Sequence, residues 1–244
     1  MASDNAFSSS KIKSFPCDSR VKLKLKRIIF KPQILIFLRN FTNLNLKHLQ
    51  LLETIYLKDG QFQNIEYHNA RIANAQKDLF GRISPITVDK SIRIPTENKK
   101  GVYRCRVIYT IDIQEVIFTP YEEKPIKKIK FIDIGDWNYS YKYADRSFMN
   151  KLLTNNPEVD EVIMTKNGFI TDCTIANLAF YDGKNWFTPS TPLLKGTKRQ
   201  QLLDKELMIE REIKVADIFQ YEGVCLINCF RDLRLENLIN INAN

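Results

Sequence analysis

The sequence predicts an α+β fold built as two lobes. Three observations point there. Hairpin-like stretches occur in both halves of the chain, helical periodicity is confined to a few short segments, and the pattern changes near IGDWNYSYK at 134–142. A hairpin-rich first half, followed by a hairpin-rich second half with a glycine-led helix, argues for α+β in two lobes. The expected organisation is a basic N-terminal extension at 1–50, a small lobe at 51–134 and a larger lobe at 135–244.

LLETIYLK (51–58) is β-prone, and Asp59-Gly60 is a strong two-residue hairpin turn that returns the chain through QFQNI (61–65). EYHNARIANAQKDLF (66–80) is expected to form an amphipathic helix stopped by Gly81. VYRCRVIYT (102–110), EVIFTPY (115–121) and KPIKKIKFIDI (124–134) read as strands, the last with a lysine-bearing solvated face. DRSFMNKLL (145–153) reads as a short helix. DEVIMT and FITDCT flank Asn167-Gly168 as a second hairpin, and NLAFYD and NWFTP flank Gly183 as a third. TPLLKGTKRQQLLDKEL (191–207) turns through Gly196 into a helix, and VCLINCF (224–230) closes the set as a buried strand.

The net charge of +9 invites a nucleic-acid reading, but its distribution argues against one. Residues 1–50 hold ten Lys/Arg against two acidic residues, whereas the rest is nearly balanced. The excess belongs to the extension, so no nucleic-acid partner is expected. No run approaches the roughly 18 apolar residues of a membrane span, so no membrane is expected either. Five cysteines (17, 105, 173, 225, 229) at scattered spacings fit neither a disulfide framework nor a zinc site. A reducing cytoplasm is the expected location. With only His48 and His68, a histidine-based metal site is not expected.

Six segments carry a further signal in their order: LLETIYLKDG, YHNARI, YKYADRS, NGFITDCTIANLAFYDG, FTPSTPLLKGTKRQ and VCLINCFRDL. Together they resemble the class IV pyridoxal-phosphate-dependent aminotransferases, a family that includes branched-chain and D-amino-acid aminotransferases and aminodeoxychorismate lyase. The resemblance runs from about residue 51 to the C-terminus. It implies a D-amino-acid-aminotransferase-like fold with pyridoxal 5′-phosphate between the lobes, and a homodimer acting on a small amino substrate.

Residue by residue, Lys142 matches the family's Schiff-base lysine and Arg71, in the H-x-x-R pattern, its phosphate-binding arginine. Gly196 and Thr197 match the turn whose amides take the phosphate at a helix N-terminus. Asp172 stands where most members carry the Glu that partners the pyridine nitrogen, one methylene shorter. Asn177 matches a supporting asparagine, and Cys173 reads as a packed small residue. Ser147 replaces a tyrosine that aminotransferases favour five positions after the lysine, and Asp145-Arg146 resembles the Asn-Arg of lyase-type members. The expected function is therefore 4-amino-4-deoxychorismate lyase, releasing pyruvate and p-aminobenzoate in folate synthesis. A branched-chain or D-amino-acid aminotransferase is the alternative, and a non-catalytic relative acting as a binding protein is the reading from a different class.

Overall fold

The structure is a computed structural model that describes residues 49–241. Most of the basic segment, with Cys17 and His48, lies outside these residues.

The first sheet has the order β2-β1-β3-β4, all antiparallel, from β1 (Leu51–Lys58), β2 (Gln61–Phe62), β3 (Val102–Tyr109) and β4 (Ile113–Pro120). The Asp59-Gly60 turn joins β1 to β2, with φ 48° and 74°. Positive φ at both positions matches the right-handed strand twist, which is why Asp-Gly serves there. The return strand is shorter than expected. Asn64 takes a left-handed conformation at φ 56° and starts helix α1 (Ile65–Phe80) directly. One face of α1 packs Ile72 and Ala75 onto Leu51, Ile55, Cys105 and Val107. A one-turn helix, α2 (Val88–Ser91), which the sequence pattern missed, adds Val88 to this core.

The second half builds two further sheets. β5 (Ile129–Asp133), β6 (Glu161–Lys166) and β7 (Phe169–Cys173) form one, with β5 parallel to β6. β8 (Asn177–Tyr181), β9 (Trp186–Pro189), the short parallel edge strand β10 (Ile209–Arg211) and β11 (Gly223–Ile227) form the other. A shared core of Ile163, Ile170, Leu178, Phe180, Phe187 and Val224 joins them. α3 (Ser147–Thr154) packs Met149 against Val162 and Met164 of β6, and α4 (Thr197–Asp204) buries Leu202 against Cys225 and Ile227.

The strand read over 124–134 is confined to its last half. Pro125 has no amide to give, and the N–H groups of Lys127 and Lys128 both donate to Asp160 Oδ2 at 2.8 Å. Those donors are therefore lost to a ladder. The helix expected after the turn at Gly196 does start there, with Gly196 as its N-cap in extended conformation, and it ends at Asp204, short of residue 207.

Candidate active site

Lys142 sits on a segment that extends the first sheet. Its carbonyl accepts the N–H of Leu52 at 2.8 Å, and the Ala144 N–H donates to Gln50 at 2.8 Å. The flanking tyrosines explain why this lysine is held in place. Tyr141 and Tyr143 pack on the core of the first sheet, and the Tyr139 hydroxyl donates to the Tyr143 carbonyl at 2.6 Å. The lysine between them lines a cavity of about 910 Å³. Burial, with the Arg71 guanidinium behind it, pushes its amine down to about 8. A Lys so placed gives up its proton far more readily than a surface lysine and becomes a neutral, nucleophilic amine above about pH 8.

All six residues singled out from the sequence line this one cavity: Arg71 from α1, Lys142, Asp172 at the end of β7, Asn177 at the start of β8, and Gly196 and Thr197 at the start of α4. Their mutual contacts are specific. Asn177 Nδ2 donates to Asp172 Oδ1 at 2.6 Å and to the Leu194 carbonyl at 2.8 Å, and the Leu194 N–H donates to Asp172 Oδ2 at 2.8 Å. Each carboxylate oxygen keeps acceptor capacity for another donor. Burial pushes Asp172 up to about 7 against the pull of these hydrogen bonds. Gly196 is required by close approach and not by its dihedrals. At φ −71° any residue could sit there, but a Cβ would come 1.9 Å from Asn177 Oδ1.

Behind Arg71 lies a network that the sequence reading did not include. Glu53 of β1 is fully buried and accepts from Arg71 Nε at 2.8 Å and Nη2 at 2.5 Å. Its Oε2 also meets His68 Nδ1 at 2.6 Å. Burial works to raise the Glu53 carboxyl. The Arg71 charge and the hydrogen bonds from His68 and Arg71 outweigh it and hold the group at about 2. Burial pushes His68 below its ordinary value, so its ring is neutral. An ionised Glu53 only accepts, so Nδ1 carries the ring hydrogen and Nε2 is the acceptor. The Thr197 hydroxyl, 3.5 Å from Nε2, is then the donor across that longer contact. Arg71, Glu53, His68 and Thr197 thus link β1, α1 and α4 in one chain of contacts. One signal for it was present. Glu53 falls on the buried phase of β1 with Leu51, Ile55 and Leu57, where a carboxylate must be paired.

Elsewhere in the cavity lining, Arg146 Nη2 donates to the Thr174 carbonyl at 2.6 Å, and Asp145 Oδ1 accepts the Ser147 N–H at 2.9 Å. Cys173 is buried in the core and its thiol is pushed well up by burial. Among the described residues no cluster of His, Cys, Asp and Glu could hold a metal ion.

The sequence profile of the amino-transferase class IV family matches residues 50–234. The chain belongs to that family. Class IV enzymes are pyridoxal-phosphate-dependent, and the chain is similar to several of their solved structures. A putative 4-amino-4-deoxychorismate lyase from Haemophilus somnus is 35% identical over 76% of this chain and 98% of its own, with a TM-score of 0.71. A hypothetical aminotransferase from Mycobacterium tuberculosis, solved in a PLP-bound form, is 18% identical over 76% and 79%, with a TM-score of 0.63, which shows the shared fold. An uncharacterized Haemophilus influenzae protein is 34% identical over 75% of this chain and 98% of its own.

The side chains of this class IV chain fit the cofactor chemically. An amine held near 8, a buried carboxyl with spare acceptor sites and a guanidinium fixed on its far side by Glu53 are what an aldehyde, a ring nitrogen and a phosphate require. Two of Arg71's nitrogens are spent on Glu53, which leaves Nη1 for another anion.

Proposed function

We propose that this class IV enzyme is a 4-amino-4-deoxychorismate lyase, converting its substrate to p-aminobenzoate and pyruvate. Lys142 would hold the cofactor aldehyde through Nζ. Arg71 and the backbone amides at Gly196 and Thr197 would hold the phosphate, with the N-terminus of α4 behind them. The Thr197 hydroxyl, committed to His68, leaves that task to the amides. Asp172, kept in place by Asn177 and Leu194, would face the ring nitrogen. Its burial makes a positive partner favourable.

When bound, the cofactor supplies the electron sink that makes a C–H bond next to the substrate amine acidic. Lys142 Nζ is the group placed to move that proton. It is neutral above about pH 8, and Arg71 favours the neutral form. In the lyase the proton leaves the ring carbon bearing the amine, the bond from the ring to the enolpyruvyl oxygen breaks as the ring aromatises, and the released enolate takes up a proton to become pyruvate.

Position 147 carries the choice of lyase over aminotransferase. Ser147 lies five residues after Lys142 on the cavity rim, its side chain is exposed, and its N–H is turned to Asp145. No phenol therefore enters the cavity from the place where the aminotransferases favour one. Likeness to the Haemophilus somnus chain supports the same reading.

The test supplies 4-amino-4-deoxychorismate and follows p-aminobenzoate and pyruvate in equal amounts. Branched-chain and D-amino acids with 2-oxoglutarate are assayed in parallel. Brisk glutamate formation without p-aminobenzoate would assign the aminotransferase reaction instead.

A further inference from the structure

We infer that His68 is a positioning residue, a strut that holds the start of α4 at a set distance from Arg71 and so adds to the protein's preference for a phosphorylated cofactor. This rests on reading Arg71 and the amides of Gly196 and Thr197 as the phosphate site.

The two sides of that site come from different parts of the fold. Arg71 belongs to α1, which packs on the first sheet, whereas Gly196 and Thr197 open α4, which packs on β8 and β11. An anion gripped from both sides needs their separation held to within about 0.5 Å. Each side is anchored to its own half. Two bonds to Glu53 of β1 fix the Arg71 guanidinium. Gly196 lies against Asn177 of β8, so closely that a Cβ would meet Oδ1 at 1.9 Å. What these anchors leave open is the distance between the halves.

Among the described residues two polar side-chain contacts cross from α1 to α4. The Tyr67 hydroxyl donates to Asp204 Oδ2 at 2.9 Å, an exposed bond at the last residue of α4. His68, the next residue of α1, meets Thr197 at the first residue of α4, and both are buried. The His68 ring is rigid and has one nitrogen for each neighbour. Nδ1 is held 2.6 Å from Glu53 Oε2, which sets the ring plane and aims Nε2 at the Thr197 hydroxyl 3.5 Å away. That separation is at the outer limit of a hydrogen bond, so the contact acts through spacing more than through energy. Glu53 is common to both lines: it orients Arg71 directly, and through His68 it reaches the amide end of α4.

The experiment strips the purified full-length holoenzyme and titrates the apoprotein with pyridoxal 5′-phosphate and with pyridoxal, which lacks the phosphate, following absorbance. Wild type should prefer the phosphorylated form by roughly a hundredfold or more, the scale of two charged hydrogen bonds. His68→Asn keeps a donor near the position of Nδ1 for Glu53 but is too short to reach Thr197. It should weaken pyridoxal 5′-phosphate about three- to tenfold and leave pyridoxal within about twofold. His68→Gln, which can place an acceptor near the position of Nε2, should recover most of that loss. Thr197→Val breaks the same contact from the other side and supplies the readout if His68→Asn folds poorly. Combined with His68→Asn it should cost no more than the larger single loss. Tyr67→Phe, which removes the exposed contact, should leave the ratio of the two affinities unchanged. Equal weakening of both ligands, or a ratio unchanged in His68→Asn and Thr197→Val, overturns the role of His68 alone. A wild type that binds both ligands equally removes the reading of the phosphate site itself.

Discussion

Replacing Glu53 by Gln tests the support behind the site most directly. Gln keeps the shape and removes the charge that two neighbours rely on. The magnitude follows from two independent arguments. Lowering a buried carboxyl from 4.5 to about 2 corresponds to about 3 kcal/mol of native-state preference for the ionised form. Removing one partner of a buried ion pair costs about 3–5 kcal/mol, because the other charge is left without a counterion. Arg71, whose side chain is 16% exposed, is the charge that would be left. An expected loss of about 3 kcal/mol at pH 7 satisfies both.

The pH dependence has a definite sign. The folded value of Glu53 lies below its unfolded one, so its contribution is complete above about pH 4.5. It fades as pH falls from there towards 2. Urea denaturation of wild type and Glu53→Gln should therefore show a wide gap in midpoint at pH 7 and a narrower one near pH 3.5. Two functional effects should accompany it. Arg71 loses the carboxylate that fixes its orientation, so pyridoxal phosphate should bind less tightly. Lys142 loses a field that favoured its charged form, so its amine should titrate lower than about 8. Equal urea midpoints at pH 7, or a gap that stays constant with pH, would refute the reasoning.

Other expectations follow from the same contacts. Gly196→Ala drives a Cβ into Asn177 Oδ1, so it should lower stability by about 1–3 kcal/mol, and in a thermal melt adding Asn177→Ala should cost less than the sum of the two single changes. Asp172→Asn should retain cofactor, as judged by absorbance, while the rate falls roughly a hundredfold or more, since the charge proposed to face the ring nitrogen is gone. Apoprotein should take up pyridoxal phosphate faster as pH rises through about 8, where the Lys142 amine loses its proton. Borohydride trapping with peptide mass mapping should put the adduct on Lys142, and an adduct on Lys195 or Lys198 would overturn that assignment.

What the sequence disclosed, and what it withheld, divides by the range of the interactions involved. Asp59-Gly60 and Asn167-Gly168 were readable because a tight hairpin needs positive φ at adjacent residues, and all four adopt it. The helix over 66–80 was readable from its own periodicity and its glycine stop. Strand limits at 61–65 and 124–134 were not, because they depend on a left-handed Asn64 and on Asp160, which lies far along the chain yet takes two backbone donors. The six site residues came from ordered motifs, and one cavity collects them all. Glu53 and His68 escaped because their significance lies in their neighbours. A glutamate in a strand and a histidine in a helix become informative only once β1, α1 and α4 are placed together.

That placement gives the site its physical logic. Arg71 lowers the Lys142 amine and is offered to the cavity, yet an unpaired guanidinium at this depth would be costly. Glu53 neutralises it from behind, and in doing so brings a second buried charge, whose remaining demand is met by His68. His68 is neutral and can therefore pass the arrangement on to Thr197 at the head of α4 without adding charge. The chain of partners ends on an uncharged hydroxyl at the cavity rim. The positive charge therefore stays concentrated on the cavity side, where the lysine amine and any anionic ligand meet it.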